Sequence, residues 1–324
     1  MIGWLSRRLV QALFVVLAMT VIVFIGVNVI GNPVDILVPP DADQAERLRV
    51  IAQLGLDKPL WQQYLSFLSG ALHADFGKSF VFSEPALQVI LQRMPATLEL
   101  AICALLLAIV IGIPLGLYAG LKPDSIFAKV AMAGSILGFS LPGFWVGLLL
   151  IMVFAVQLGW LPSSGRGETR ALLGIQWSFL TMDGLAHLVL PAFNLALFKV
   201  SLVMRLVRAG VREVLPQEYI KFARAKGLSE RRIIFVHVLK NIMIPVVTVI
   251  GLEFGSTIAF SVVTESIFAW PGMGKLIIDS INMLDRPMIV AYLILIVALF
   301  VTINLVVDFL YTVLDPRVRL ESEG

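Results

Sequence analysis

The chain has a single cysteine, Cys103, among 324 residues, so no disulfide framework can form within it. Its three histidines, His73, His187 and His237, stand far apart and lack metal-ligand spacing, so no metal site is assigned. No His-x-x-Glu-His run and no paired catalytic aspartates appear, which leaves an intramembrane hydrolase without a constellation. Charge is scarce as well. Only 15% of residues are Asp, Glu, Lys or Arg, against about 25% in an ordinary soluble domain. Apolar residues fill the difference, at 59% with a mean hydropathy of +0.93. The solvent of most of this chain is a bilayer.

A membrane helix needs about 20 apolar residues. Six runs qualify: Leu9–Ile30, Ala96–Ala119, Phe127–Leu158, Leu185–Val207, Pro245–Phe268 and Met288–Val313. The expectation is an all-α integral membrane protein with six transmembrane helices. Arg7 and Arg8 ahead of the first run resemble a signal peptide, but the run is long and no small-x-small cleavage site follows, so it reads as a retained span. The third run is too long for one straight helix and contains Ser140-Leu-Pro-Gly143. Proline removes a backbone donor and clashes with the preceding turn, so a break is expected at Pro142 within one span. A packing kink and a break lining a transport path both satisfy this, and Pro142 stays a pathway candidate.

Basic residues set orientation. With the N-terminus inside, inner segments carry 15 Lys and Arg and outer segments nine, which places both termini in the cytoplasm. The division is then 1–31 as an N-terminal span, 32–95 as an external helical segment, 96–316 as the main transmembrane domain with a cytoplasmic loop at 208–244, and 317–324 as a tail. In the external segment, Glu46–Leu54 reads as a short helix ended by Gly55. Asp57 reads as the N-cap of a second helix, with Pro59 in its first turn, running to about Leu72. Trp160 and Trp270 fall at outer boundaries and read as interfacial anchors.

The most informative stretch is charged. Between Arg205 and Lys240 lie nine basic and three acidic residues. A lipid-attracted loop explains the sign but not the organisation. Gln217–Lys226 has helix formers with Tyr219, Phe222, Ala223 and Lys226 at helical spacing. Gly227 can take the left-handed conformation that ends a helix, and Ser229 can cap the next, Glu230–Ile244. Two short helices about a tight corner make a rigid projection suited to docking on another protein.

The segment Glu218-Tyr-Ile-Lys-Phe-Ala-Arg-Ala-Lys-Gly-Leu-Ser-Glu-Arg-Arg232 resembles the cytoplasmic signature loop of permease subunits of ATP-binding-cassette importers. Aligned on Gly227, it keeps Ala223 and Leu239 of the general pattern. It departs from that pattern at Lys221, Phe222, His237 and Lys240, and is closer to the dipeptide/oligopeptide/nickel branch. Similar segments recur in order: Leu54-Gly-Leu-Asp-Lys-Pro-Leu-Trp-Gln-Gln-Tyr64, Ala74-Asp-Phe-Gly-Lys-Ser79, Ala96-Thr-Leu-Glu-Leu100, Thr264-Glu-Ser-Ile-Phe-Ala-Trp-Pro-Gly-Met-Gly274, Asn304–Tyr311 and Asp315-Pro-Arg317. The resemblance is strongest to the first permease subunit of dipeptide importers. It implies a type I importer fold, MetI-like, in the bacterial inner membrane. It implies half of a translocation pathway for di- or oligopeptides, with a second permease, one or two ATPases and an external binding protein as partners. Ala223, Lys226, Gly227, Leu228, Ser229, Arg231 and Arg232 would form the coupling contact with the ATPase. Nickel chelates, glutathione or opines are alternative cargoes within the family.

Trp270-Pro-Gly-Met-Gly-Lys275 is not a phosphate loop, since Ala269 and Leu276 stand where glycine and a hydroxyl residue are needed. The chain is therefore expected to be no enzyme and to hold no cofactor, with ATP and Mg on partner subunits. Lys199, Glu253, Glu265 and Asp308 lie within apolar runs, accompanied by Asn194 and Asn304. Each needs a partner or water. Glu253, Glu265 and Asn304 are pathway candidates, with inter-helix pairing the competing role. The same carboxylates keep an ion-coupled secondary transporter open as a rival class.

Overall fold

A computed structural model describes residues 2–29, 38, 43–53 and 55–314. The expectations for Leu54, for Asp315-Pro-Arg317 and for the tail 317–324 lie outside these residues. The chain divides into two units, Met1–Met94 with Lys275–Val301, and Pro95–Gly274 with Thr302–Gly324.

In the first unit, α1 (Ile2–Val29) precedes α2 (Gln44–Gln53) and α3 (Leu60–Leu72). Leu72 ends α3 as the sequence implies, but Asp57 does not cap it. Pro59 occupies the cap position with no side-chain bond, and Gln63 Nε2 instead reaches back to the carbonyls of Leu56 and Lys58. Helix α3 packs on α1 through a Phe24–Tyr64 edge contact at 5.3 Å and a hydrogen bond between Thr20 Oγ1 and Tyr64 Oη of 2.9 Å. Asp285 fastens the 79–82 loop. Its carboxylate accepts from Ser79 Oγ and from the backbone N–H groups of Phe80 and Val81.

The long helix α4 (Ala86–Leu121) begins ten residues before the apolar run, so the external segment already ends in helix. Residues 86–95 are amphipathic and carry no span signal of their own. The helix crosses from the first unit to the second at Met94.

In the second unit, α5 (Ile126–Ser140) is capped by Ser125, whose Oγ accepts from Ala128 N. It meets α6 (Gly143–Gln157) at a 110° bend over Leu141 and Pro142. The break at Pro142 is where proline's missing donor places it. Next comes a hairpin of β1 (Arg170–Leu172) and β2 (Ile175–Trp177), a small departure from an all-α chain. Helix α7 (Met182–Val214) starts at Thr181, whose Oγ1 accepts from Gly184 N at 2.9 Å. Then follow α8 (Glu218–Ala225) and α9 (Glu230–Ile267), the latter with a π-helical stretch at Ile233–Val238. Helices α10 (Met273–Asn282) and α11 (Arg286–Leu314) pass from the one unit to the other in sequence.

Among the described residues, four helices are long and apolar enough to cross a membrane, and the bent α5–α6 pair raises the number to five. Helix α1 contributes a shorter apolar stretch, Val10–Gly26.

Packing in the second unit rests on small residues. Gly112, Gly116 and Gly120 of α4 lie against Val203, Met204, Val207 and Val211 of α7. A Cβ built at Gly116 would come within 2.5 Å of the Met204 carbonyl oxygen. Lipid gives helices no hydrophobic drive to associate, so close backbone approach and the dispersion contacts it allows carry this interface. The α4–α7 seam continues into a core of Val207, Val211, Ile220, Ile233, Val238 and Ile242.

Candidate functional site

Two polar constellations stand out in the second unit, besides the charged elbow. The first is built at the start of the α4 segment in that unit. Thr97 Oγ1 donates to Glu265 Oε1 at 2.7 Å and accepts from Met273 N at 2.8 Å. Ser261 Oγ lies 2.9 Å from the same carboxylate oxygen. Glu265 is fully buried and held on three sides by α4, α9 and the 268–273 turn. That turn explains the glycines of Trp270-Pro-Gly-Met-Gly274. A Cβ at Gly274 would meet the Val262 Cα at 2.6 Å, and one at Gly272 would strike Glu265 and Thr97. They are there so the turn can lie on α9, not to cradle phosphate.

Trp270 is not an interfacial anchor. It is wholly buried among Ala96, Leu100, Leu188 and Ala192, and its Nε1–H donates to the Ala96 carbonyl at 2.9 Å. The aromatic falls at a helix end in sequence, but the turn folds it inward where its N–H finds an acceptor. Trp160, by contrast, is 69% exposed.

One turn along α4, Glu99 is 1% exposed. Its Oε2 accepts from Arg166 Nη2 at 2.6 Å and Nε at 3.1 Å, and its Oε1 from the Ser178 and Phe179 N–H groups at 2.7 and 2.9 Å. The Arg166 guanidinium sits 5.8 Å from the Trp270 ring centre. Glu99 and Arg166 were not singled out from sequence. The available signal was a lone acid at the fourth position of Ala96-Thr-Leu-Glu-Leu100, inside an apolar run.

The second constellation joins α7 to α9. Lys199 Nζ donates to Glu253 Oε2 and, at 3.1 Å, to Ser256 Oγ, and lies 5.3 Å from the Phe198 ring centre. Lys199 is 8% exposed, while the Glu253 side chain keeps 26% of its surface. Nearby on α7, Asn194 Nδ2 donates to Thr264 Oγ1 at 3.0 Å, and its Oδ1 is buried without a partner among the described residues. Asn304 Oδ1 on α11 is likewise buried and unmatched. Pro142 is exposed at the α5–α6 break.

The elbow is α8, Gly227 and the start of α9. Ile220 and Ala223 are buried against the core of α7 and α9. Gly227 has φ +76°, its N–H donates to Arg224 O at 2.9 Å, and Leu228 N–H reaches Ala223 O at 3.3 Å, a glycine-dependent helix termination. Ser229 precedes α9 as expected, though through backbone geometry without a side-chain cap bond. Asn241 Nδ2 donates to Tyr219 Oη at 2.7 Å, and Arg224 Nε to Glu230 Oε1 at 2.9 Å. The Glu230 hydrogen bond raises the Arg224 pKa above its ordinary value. Lys226, Gly227, Ser229, Arg231 and Arg232 are exposed, and Leu228 is half-buried against the core. Phe222 adds a 61% exposed aromatic on the same projection, beneath Lys226 Nζ at 4.5 Å.

A bundle of apolar helices, stitched by small residues and buried ion pairs and bearing a stiff basic elbow, defines a membrane-embedded transport subunit. The chain belongs to the binding-protein-dependent transport system inner membrane components, whose family pattern matches residues 112–320; the family's N-terminal pattern matches residues 1–101. It is 38% identical over 338 residues to the dipeptide transport system permease DppB of Escherichia coli K12, covering 98% of this chain and 99% of that protein. It is also 38% identical to the oligopeptide transport system permease AppB of Bacillus subtilis, over 98% and 100% of the two chains. Among solved structures, an inward-facing MetNI methionine ABC transporter chain superposes with a TM-score of 0.56 at 20% identity, over 72% of this chain and all of that one. The MetI-like importer permease fold and a bacterial inner-membrane location follow.

Proposed function

We propose that this chain is one of two membrane halves of an ATP-driven importer for short peptides. Its cargo class is supported by the dipeptide and oligopeptide permeases that match nearly its full length. Six spans are counted with α1 as one and the α5–α6 pair as another, and both termini face the cytoplasm. The basic excess on the inner segments supports that orientation. A second permease, separate ATPases that bind the nucleotide, and an external binding protein complete the machine.

The observation that carries the reading is the elbow. It is anchored on its inner side by Ile220 and Ala223 and cross-tied by Tyr219–Asn241 and Arg224–Glu230, while Lys226, Ser229, Arg231 and Arg232 project. A lever must be stiff where it joins the bundle and bare where it meets its partner. In this reading Glu265 and Glu99 hold the outer turns in place. Glu253, whose side chain keeps 26% of its surface beside Lys199, stays a pathway candidate.

Gly227→Pro and an Arg231→Glu/Arg232→Glu double variant test it. Proline cannot adopt φ +76° and removes the N–H that bonds Arg224 O. Both variants are expected to insert in the membrane and to lose ATP-driven dipeptide uptake. Uptake at the parental rate would sink the docking role.

A further inference from the structure

The first unit bears an open cleft of about 580 Å³ that the transport reading leaves unused. Phe24 of α1, Phe67 of α3 and Phe76 of the following loop give it apolar walls. Lys58, Asp75 and Arg286 supply its charge. Arg286 is 8% exposed, and its buried Nη2 has no hydrogen-bond partner among the described residues.

A guanidinium offers five N–H donors in a fixed fork suited to carboxylate and phosphate oxygens. The adjacent carboxylate is directed elsewhere: Asp285 accepts from Ser79, Phe80 and Val81 of the 79–82 loop, and Arg286 Nη2 makes no hydrogen bond to it. Asp75 is engaged by Gly77 N–H at 3.0 Å. The cavity thus sets an unmatched, buried cation and a second cation against the one carboxylate of Asp75, a net positive lining beside an aromatic wall. That combination fits an oxyanion carried on an apolar body.

Position decides the source. Phe24 lies near the end of the apolar stretch Val10–Gly26 of α1, and Arg286 opens the apolar helix α11. The cavity therefore sits where two apolar helices give way to polar chain, as chain does at a membrane–water interface. We propose that it binds an anionic phospholipid. The phosphate engages Arg286 and Lys58, and the upper acyl or glycerol portion lies along the three phenylalanines. The volume falls within the range of about 300–1,000 Å³ typical of small-molecule sites.

The test uses the full chain, delipidated in a neutral detergent, with phosphatidylglycerol and phosphatidylcholine as probes. Phosphatidylglycerol is expected to raise the thermal midpoint by at least about 3 °C, and phosphatidylcholine to leave it unchanged. In Arg286→Met the lipid-free midpoint should hold or rise, because an unmatched buried charge is gone, and the phosphatidylglycerol shift should vanish. If that variant does not fold, Lys58→Gln is read instead by native mass spectrometry, with an expected loss of at least about threefold in bound phosphatidylglycerol. Equal shifts from the two lipids, or a shift that survives both substitutions, would overturn the proposal. So would an Arg286-dependent shift produced by a soluble dipeptide such as Gly-Phe when phosphatidylglycerol gives none, which would reassign the site to a solute.

Discussion

Replacing Glu99 by glutamine changes one oxygen to an NH₂ group and almost nothing in shape. Yet Glu99 uses both oxygens as acceptors, one for the Arg166 fork and one for the Ser178 and Phe179 N–H groups. Glutamine has one acceptor. Whichever way its amide turns, its NH₂ group must face donors, and either a guanidinium or two backbone N–H groups lose their partner. The site is dry, with the Glu99 side chain fully covered and Arg166 only 13% exposed. Removing one partner of such a pair costs about 3–5 kcal/mol, mostly as the penalty of stranding the other charge. The loss should appear first in the loop that Glu99 holds. Limited proteolysis within residues 162–180, under conditions where cleavage follows local opening, should accelerate by about 100-fold or more. Adding Arg166→Met to Glu99→Gln should return a substantial part of the loss, with a coupling of about 2 kcal/mol or more in the double-mutant cycle. A Glu99→Gln chain as resistant to protease as the parent, or strictly additive effects in the cycle, would refute the argument.

Three further outcomes follow from the geometry. Gly116→Val should prise α4 from α7, because the Met204 carbonyl leaves no room for a side chain; detergent extracts should show a thermal midpoint lowered by several degrees, whereas Gly134→Ala on α5, with open space at its Cβ, should not move it. Lys199→Met should impair folding or transport by leaving Glu253 unpaired in the membrane, and the exchange Lys199→Glu with Glu253→Lys should recover more dipeptide uptake than either single change; no recovery would argue against a simple pair. Trp270→Phe keeps most of the buried ring but removes the N–H donated to the Ala96 carbonyl, an acceptor inside helix α4, with an expected cost of about 0.5–1.5 kcal/mol in thermal or denaturant unfolding, and wild-type stability would show the N–H bond to be incidental.

Five of the six apolar runs fall on helices or the bent pair long enough to cross a membrane, because their signal is long, and the break at Pro142 was legible because proline's covalent chemistry acts locally. Gly227 was legible for the same reason, since a helix-ending glycine between two helix formers has few other uses. The contacts that fix the outer turns were not. Glu99 meets Arg166, and Thr97 meets Glu265, across 67 and 168 residues of chain, and no local pattern encodes such partners. Trp270 misled for a related reason: an aromatic at a span boundary can lie in the interface or fold inward, and only the acceptor at Ala96 decides. Helix α4 starts earlier than its apolar run, and Ala86, Val89 and Ile90 in that early part are buried within the fold. Arg286 counted as an ordinary loop cation until its burial was visible.

The most direct test is a crosslink. Ser229→Cys in a Cys103→Ser background places one thiol at the tip of the elbow, where Ser229 is exposed. In intact membranes, a short bifunctional thiol reagent should join it to a nucleotide-hydrolysing subunit, and ATP with a trapping phosphate analogue should change the yield. Labelling of Ser229→Cys only by reagents confined to the outer side of the membrane, or an elbow that never captures an ATPase, would contradict the account.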